Sequence, residues 1–123
     1  MERLQSAAGL KALSMLVVCS KDVGHILLEN NLLMILDRVV FDDTHCDDLG
    51  RFKMWCIVNI LGSIAAGSEE DVEMILTSSL WEKIMSIMQS ERLYFGLISE
   101  FVYLVSNLVF SATSEQVIFV NWI

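Results

Sequence analysis

The sequence predicts an all-α protein in which three-helix units follow one another along a single domain. Three observations lead to this expectation. The 123 residues contain no proline, so helices can run almost everywhere without interruption. Apolar residues recur at helical spacing in most segments between polar breaks. Finally, a long helix is followed twice by a short, a medium and a long one, which is typical of a repeat protein.

The first half of the chain contains a first long helix, a short helix and a medium helix. Apolar residues at helical spacing predict the first helix, which ends near Cys19. Ser20 and Asp22 then begin a short helix. The pair Asn30-Asn31 predicts a sharp turn, because asparagine tolerates a left-handed backbone, and the next helix covers 32–40.

The stretch 41–50 is polar and acidic, and the sequence predicts a loop here. Its ionisable residues are Asp42, Asp43, His45, Cys46, Asp47 and Asp48. Such a set could bind a cation or, less readily, support chemistry between the cysteine and the histidine. The ligand spacing of a calcium loop and a glycine-rich phosphate loop are both missing, so we expect a solvated loop without a metal.

The second half repeats the same order of helices. A long helix is predicted over 51–66, and Gly67 is a plausible stop. Ser68, followed three residues later by Asp71, resembles a capping box and begins a short helix. After the break at 77–79, we expect helices over 80–89 and 94–111, and Ser114 begins another short one.

The two halves match residue by residue. The segment Trp55-Cys56-Ile57-Val58-Asn59-Ile60-Leu61 is similar to Tyr103-Leu104-Val105-Ser106-Asn107-Leu108-Val109, a shift of 48 residues. We therefore divide the single domain 1–123 into a partial repeat 1–19, repeats 20–66 and 67–112, and a partial repeat 113–123.

In both long helices, an aromatic residue precedes an asparagine by four positions, which places the two on one helix face. Trp55 and Asn59 form this pattern, and Tyr103 and Asn107 form it again, with Glu100 three residues earlier. The pattern resembles the Trp-x-x-x-Asn array of the armadillo repeats of the importin-α family. The resemblance implies an armadillo-like right-handed α-solenoid of about two and a half three-helix repeats.

This resemblance also implies a function. In the family, the array lines a groove that recognises basic nuclear-localisation peptides in nuclear protein import. Asparagine amides can satisfy the backbone of an extended peptide, while aromatic faces accept the stems and charges of lysine or arginine. The implied peptide-binding residues are Trp55, Asn59, Glu100, Tyr103 and Asn107.

Some positions depart from the family pattern. In the first long helix, Ala12 and Leu16 stand at the approximate motif positions, and Ser63 and Ser111 follow the two asparagines where an acidic residue is expected. The alternative function is a structural protein–protein interaction fragment, in which the aromatic rings pack in the core and the asparagines bond a neighbouring repeat. Three other residues are interpreted as packing residues: His25, Trp81 and Trp122.

Composition narrows the remaining function classes. A net charge of −8 disfavours nucleic acid and would attract a basic protein or peptide, or simply keep an apolar scaffold in solution. An odd number of cysteines, without metal spacing, favours reduced thiols and a cytoplasmic or nuclear location. We find no combination of nucleophile, base and orienting group, so neither an enzyme nor a cofactor is expected.

Mean hydropathy is high, at +0.56, which raises the alternative of a membrane-associated protein. The most apolar stretch, 93–112, contains Glu100, so a membrane span is not expected. Both ends of the repeat array look uncapped, and solenoids generally need caps over their end faces. The chain is therefore expected to be a fragment or to associate end to end.

Overall fold

The computed structural model describes residues 6–43, 48–89 and 95–111, and all regular structure in these ranges is helical. This confirms the all-α prediction. The helices are α1 Ala7–Cys19, α2 Lys21–Glu29, α3 Leu32–Asp43, α4 Asp48–Ala65, α5 Glu69–Leu76, α6 Ser79–Met88 and α7 Phe95–Ser111. The predicted helix after Ser114 lies outside the described residues.

Serine side chains begin several of these helices. Ser6 accepts a hydrogen bond from the backbone N–H of Gly9 at 3.0 Å, and Ser68 accepts one from Asp71 at 3.2 Å. Ser78 likewise accepts a hydrogen bond from the backbone N–H of Trp81 at 3.2 Å. Each bond satisfies one of the N–H groups that a helix leaves unpaired in its first turn. The predicted turn before α3 is confirmed, because Asn31 has a φ of 66°.

The predicted loop over 41–50 is wrong in its extent. Helix α3 continues to Asp43, and α4 already begins at Asp48. No proline or glycine follows Val40 before Asp48, so the sequence does not require α3 to end at Val40, and an aspartate in the first turn suits the N-terminus of α4. His45, Cys46 and Asp47 lie outside the described residues, as do the side chains of Asp42 and Asp43.

The three long helices lie side by side, with α4 between α1 and α7. The shorter helices also pair, α2 with α5 and α3 with α6. An ion pair of 2.8 Å between Asp37 and Lys83 links α3 to α6. The core between these rows is aliphatic, and its most deeply buried side chains include Leu10, Leu36, Ile57, Leu61, Ile75, Ile84, Leu104 and Leu108.

Two hydrogen bonds show that the contacts between long helices recur in a fixed register. Asn59 of α4 bonds Ser14 of α1, and Asn107 of α7 bonds Gly62 of α4. Both partners are shifted by 48 residues, the same shift that relates the two sequence segments. This register corrects one assignment. The positions of Trp55 and Asn59 correspond in α1 to Ala7 and Lys11, rather than to Ala12 and Leu16.

Candidate functional site

The five predicted site residues lie on α4 and α7, two helices that pack directly against each other. Trp55 is partly buried, and its ring stacks on that of Phe52 with centroids 6.4 Å apart and planes inclined by 13°. The ammonium nitrogen of Lys11, from α1, lies 4.9 Å from the centroid of the Trp55 ring. This distance is within the range of a cation–π interaction.

One turn further along α4, Asn59 connects all three long helices. The Ser14 hydroxyl of α1 donates a hydrogen bond to Asn59 Oδ1. The Nδ2 amide of Asn59 in turn donates to Glu100 Oε2 of α7 at 2.9 Å. The structure therefore brings two predicted site residues, Asn59 and Glu100, into direct contact.

The second aromatic and asparagine pair contacts Gly62. Asn107 Nδ2 donates a 2.8 Å hydrogen bond to the carbonyl oxygen of Gly62. A Cβ atom on Gly62 would stand only 2.7 Å from two ring carbons of Tyr103. Glycine is required here for close approach of the ring. Tyr103 keeps about 40% of its surface exposed.

The two amides retain hydrogen-bonding capacity beyond these contacts. A primary amide has two N–H donors and two acceptor lone pairs, and the hydrogen bonds described for Asn59 use one donor and one lone pair. Asn59 and Asn107 are both partly exposed. The arrangement can therefore hold an additional donor or acceptor, such as a peptide backbone group, without breaking its internal bonds.

Sequence reasoning missed three residues that complete this surface. They are Lys11, Ser14 and Gly62, which contact Trp55, Asn59 and Asn107 respectively. The 48-residue shift, extended back to α1, would have placed Lys11 at the asparagine position. We refer to these three residues and the five predicted ones together as the long-helix surface, although Ser14 and Gly62 themselves are buried.

A separate charged cluster joins the short helices α2 and α5. The two ring nitrogens of His25 face carboxylates, with Nδ1 2.7 Å from Asp71 and Nε2 2.8 Å from Glu29. The hydrogen bond and charge of Asp71, with a further contribution from Glu29, raise the pKa of His25. His25 is partly buried, as expected of a packing residue, and its ring nitrogens also make polar contacts that the packing interpretation did not include. By contrast, Trp81 is buried and stacks on Phe101, as expected of a packing residue. Trp122 lies outside the described residues.

Two further observations concern catalysis and metals. Burial raises the pKa of the Cys56 thiol to about 11, so this thiol stays protonated at neutral pH. Across 6–43, 48–89 and 95–111, no three metal-ligating side chains come together.

Among the helices of the same ranges, none has the length and apolar character needed to cross a membrane.

Comparison of the chain with protein-family models, with curated proteins and with solved structures found no match. The functional interpretation therefore depends on the geometry of the long-helix surface.

Proposed function

We propose that this protein is a binding scaffold of the armadillo type, which recognises basic, nuclear-localisation-type peptides across its long helices, as importin-α does in nuclear protein import. The observation that carries this proposal is the position of Lys11 over the Trp55 ring, at 4.9 Å. A lysine ammonium already occupies the aromatic face on which a peptide lysine would bind. The internal contact supports the idea that this face suits such a cation.

Charge supports the same proposal. Glu100 adjoins Asn59 in the middle of the long-helix surface and is only partly buried, so its carboxylate can attract a basic side chain. The whole chain carries a net charge of −8, which would increase the encounter rate with a cationic peptide. Both contributions weaken as ionic strength rises.

The peptide backbone would be held by the asparagine amides. Asn59 and Asn107 occupy equivalent positions in adjacent long helices, and each is partly exposed. An extended peptide presents unpaired N–H and C=O groups, which side-chain amides can satisfy without selecting a sequence. Selectivity for basic residues would then come from Trp55, Tyr103 and Glu100.

A bound peptide would compete with Lys11. This side chain is exposed, so leaving Trp55 for solvent costs it little burial. Replacing Lys11 with alanine, whose side chain is too short to cover the ring, should therefore free the Trp55 ring and tighten peptide binding by about 2–5-fold, the equivalent of about 0.5–1 kcal/mol for an exposed cation–π contact.

The test is a fluorescence-anisotropy titration of the chain with a labelled Lys/Arg-rich peptide at two salt concentrations. We expect saturable binding that weakens with salt and with Trp55→Ala. Glu100→Gln should also weaken it, because the amide can still accept the hydrogen bond from Asn59 but has lost the charge. A matched control is Glu82→Gln, which removes one exposed carboxylate from α6. Equal losses for Glu100→Gln and Glu82→Gln would contradict a local site.

A second candidate is a structural interaction module without peptide binding. The internal hydrogen bonds favour it, since Asn59 bonds both Ser14 and Glu100, and Asn107 bonds a backbone carbonyl. In that case the asparagines would serve to align the helices. Absence of saturable binding by the wild type and by Lys11→Ala, together with lower stability of Asn59→Ala, would favour this candidate.

A further inference from the structure

The 48-residue register defines one recurring face on each long helix. We call it the leading face, and it is the side that contacts the next long helix. Gly62 of α4 lies on it, because Tyr103 and Leu104 of α7 pack against this residue. The leading-face positions are Leu10, Leu13 and Ser14 in α1, Val58, Leu61 and Gly62 in α4, and Ser106, Val109 and Phe110 in α7.

Burial at these positions differs sharply between the helices. Leu10 and Leu61 are 0% exposed. On α7, Val109 is 43% exposed and Phe110 is 91% exposed. Val102, which precedes Val109 by about two helical turns on the same side of α7, is 58% exposed. The leading face of α7 is thus an apolar surface at positions that are interior in the preceding helices.

The opposite side of α1 is also open. On α7, the residues that meet α4 include Tyr103 and Leu104. The equivalent positions in α1, two shifts of 48 residues earlier in the chain, are Ala7 and Ala8. Ala8 is exposed and Ala7 is partly exposed. Further along this side of α1, Met15 is 60% exposed and Leu16 is 56% exposed.

The sizes of the residues on these two open faces are complementary. Between α4 and α7, the leading face offers Gly62, which has no side chain, and the ring of Tyr103 fills the space. On α7 the leading face instead offers Phe110, a large ring. The position that would meet it on α1 is Ala7, in place of Tyr103. In one contact the leading face supplies the small residue and in the other it supplies the large one. The pair of Phe110 with Ala7 would therefore fill a volume similar to that of Gly62 with Tyr103.

From this exchange we infer that the leading face of α7 binds α1 of a second copy of this chain, head to tail, with Phe110 in the space above Ala7 and Ala8. The apolar residues around this contact are Val102 and Val109 on one side and Met15 and Leu16 on the other. A contact between two different faces is heterologous, so each copy keeps one free face and the association continues into longer assemblies.

The experiment is sedimentation equilibrium of the full chain over a wide range of concentrations. We expect the average mass to rise from the monomer value of 13.9 kDa as concentration increases. Two variants remove one face each: Phe110→Asp blocks α7, and Ala8→Asp blocks α1. Both positions are exposed, and an aspartate in the first turn of α1 suits a helix N-terminus, so both variants should keep the fold.

Each variant alone should stay monomeric, whereas an equimolar mixture should form a dimer and nothing larger, because each variant retains the face that the other has lost. A wild type that stays at 13.9 kDa at all concentrations would overturn the inference. So would an Ala8→Asp variant that still associates, which would indicate symmetric pairing of two α7 faces. A mixture that forms no dimer would also overturn it.

Discussion

The two junctions between long helices, α1 with α4 and α4 with α7, share one register but use different chemistry. At the first, Asn59 accepts a hydrogen bond from the Ser14 hydroxyl, and the same amide donates to Glu100 across the second. At the second, Asn107 meets the backbone carbonyl of Gly62. Ser14 and Gly62 are equivalent positions, and Gly62, which has no side chain, offers the amide its backbone carbonyl in place of a hydroxyl.

This difference shows how one repeated asparagine can satisfy two different neighbours. A side-chain amide both donates and accepts, so it adapts to a hydroxyl in one junction and to a carbonyl in the other. Glycine at the second junction also admits the ring of Tyr103. We therefore expect shape to contribute most at the α4–α7 junction, while amide hydrogen bonds cross both junctions.

The largest effect should follow from Gly62→Val. The new side chain would meet the Tyr103 ring, where even a Cβ has only 2.7 Å. The expected loss in the free energy of unfolding is about 1–3 kcal/mol, as for other overpacked sites. Valine is preferable to alanine, which would recover almost 1 kcal/mol through its higher helix propensity. Urea unfolding followed by circular dichroism measures the change.

A double-mutant cycle tests whether the ring is the cause. Adding Tyr103→Ala to Gly62→Val should restore much of the lost stability, because the smaller side chain leaves room for valine. If the two substitutions cost the sum of their separate effects, the close approach of Tyr103 does not govern this junction.

Asn59→Ala and Asn107→Ala should differ in a smaller but measurable way. The first leaves the buried Ser14 hydroxyl without its acceptor and Glu100 without its donor, at a cost of about 1–2 kcal/mol. The second removes one hydrogen bond to a carbonyl, at about 0.5–1 kcal/mol. Equal losses in the same unfolding assay would show that the polar chain through Asn59 contributes no more than a single bond.

The sequence predicted the helices better than the contacts between them. Local chemistry determines the serine caps and the turn at Asn31, so these could be predicted from neighbouring residues. The pairing of Asn59 with Glu100 depends on how α7 packs against α4, and no local pattern determines it. The end of α3 was missed for a different reason, because acidic residues suggested a loop although no residue there breaks a helix.

The same reasoning applies to the candidate site. The repeated aromatic and asparagine pair could be found, because its spacing lies within one helix. The contact of Lys11 with Trp55 joins residues of two helices, and the first alignment of α1 did not place Lys11 at the asparagine position. The hydrogen bonds of Asn59 and Asn107 establish the register that extends to α1.

The smallest predicted effect concerns the charged contact of α2 with α5, which lies outside both junctions. The pKa of His25 is raised above 6.5 in the folded state, first by its hydrogen bond to Asp71. The protonated ring therefore stabilises the fold fully below pH 6.5, and this contribution disappears as pH rises through the higher folded pKa.

His25→Gln should remove this component of the pH dependence, as measured by thermal unfolding at a series of pH values, while Glu82→Gln on α6 should leave it intact. Because the His25 side chain is 41% exposed, salt should also weaken the component in the wild type. A wild type and a His25→Gln variant with parallel pH profiles would show that the Asp71 contact contributes nothing.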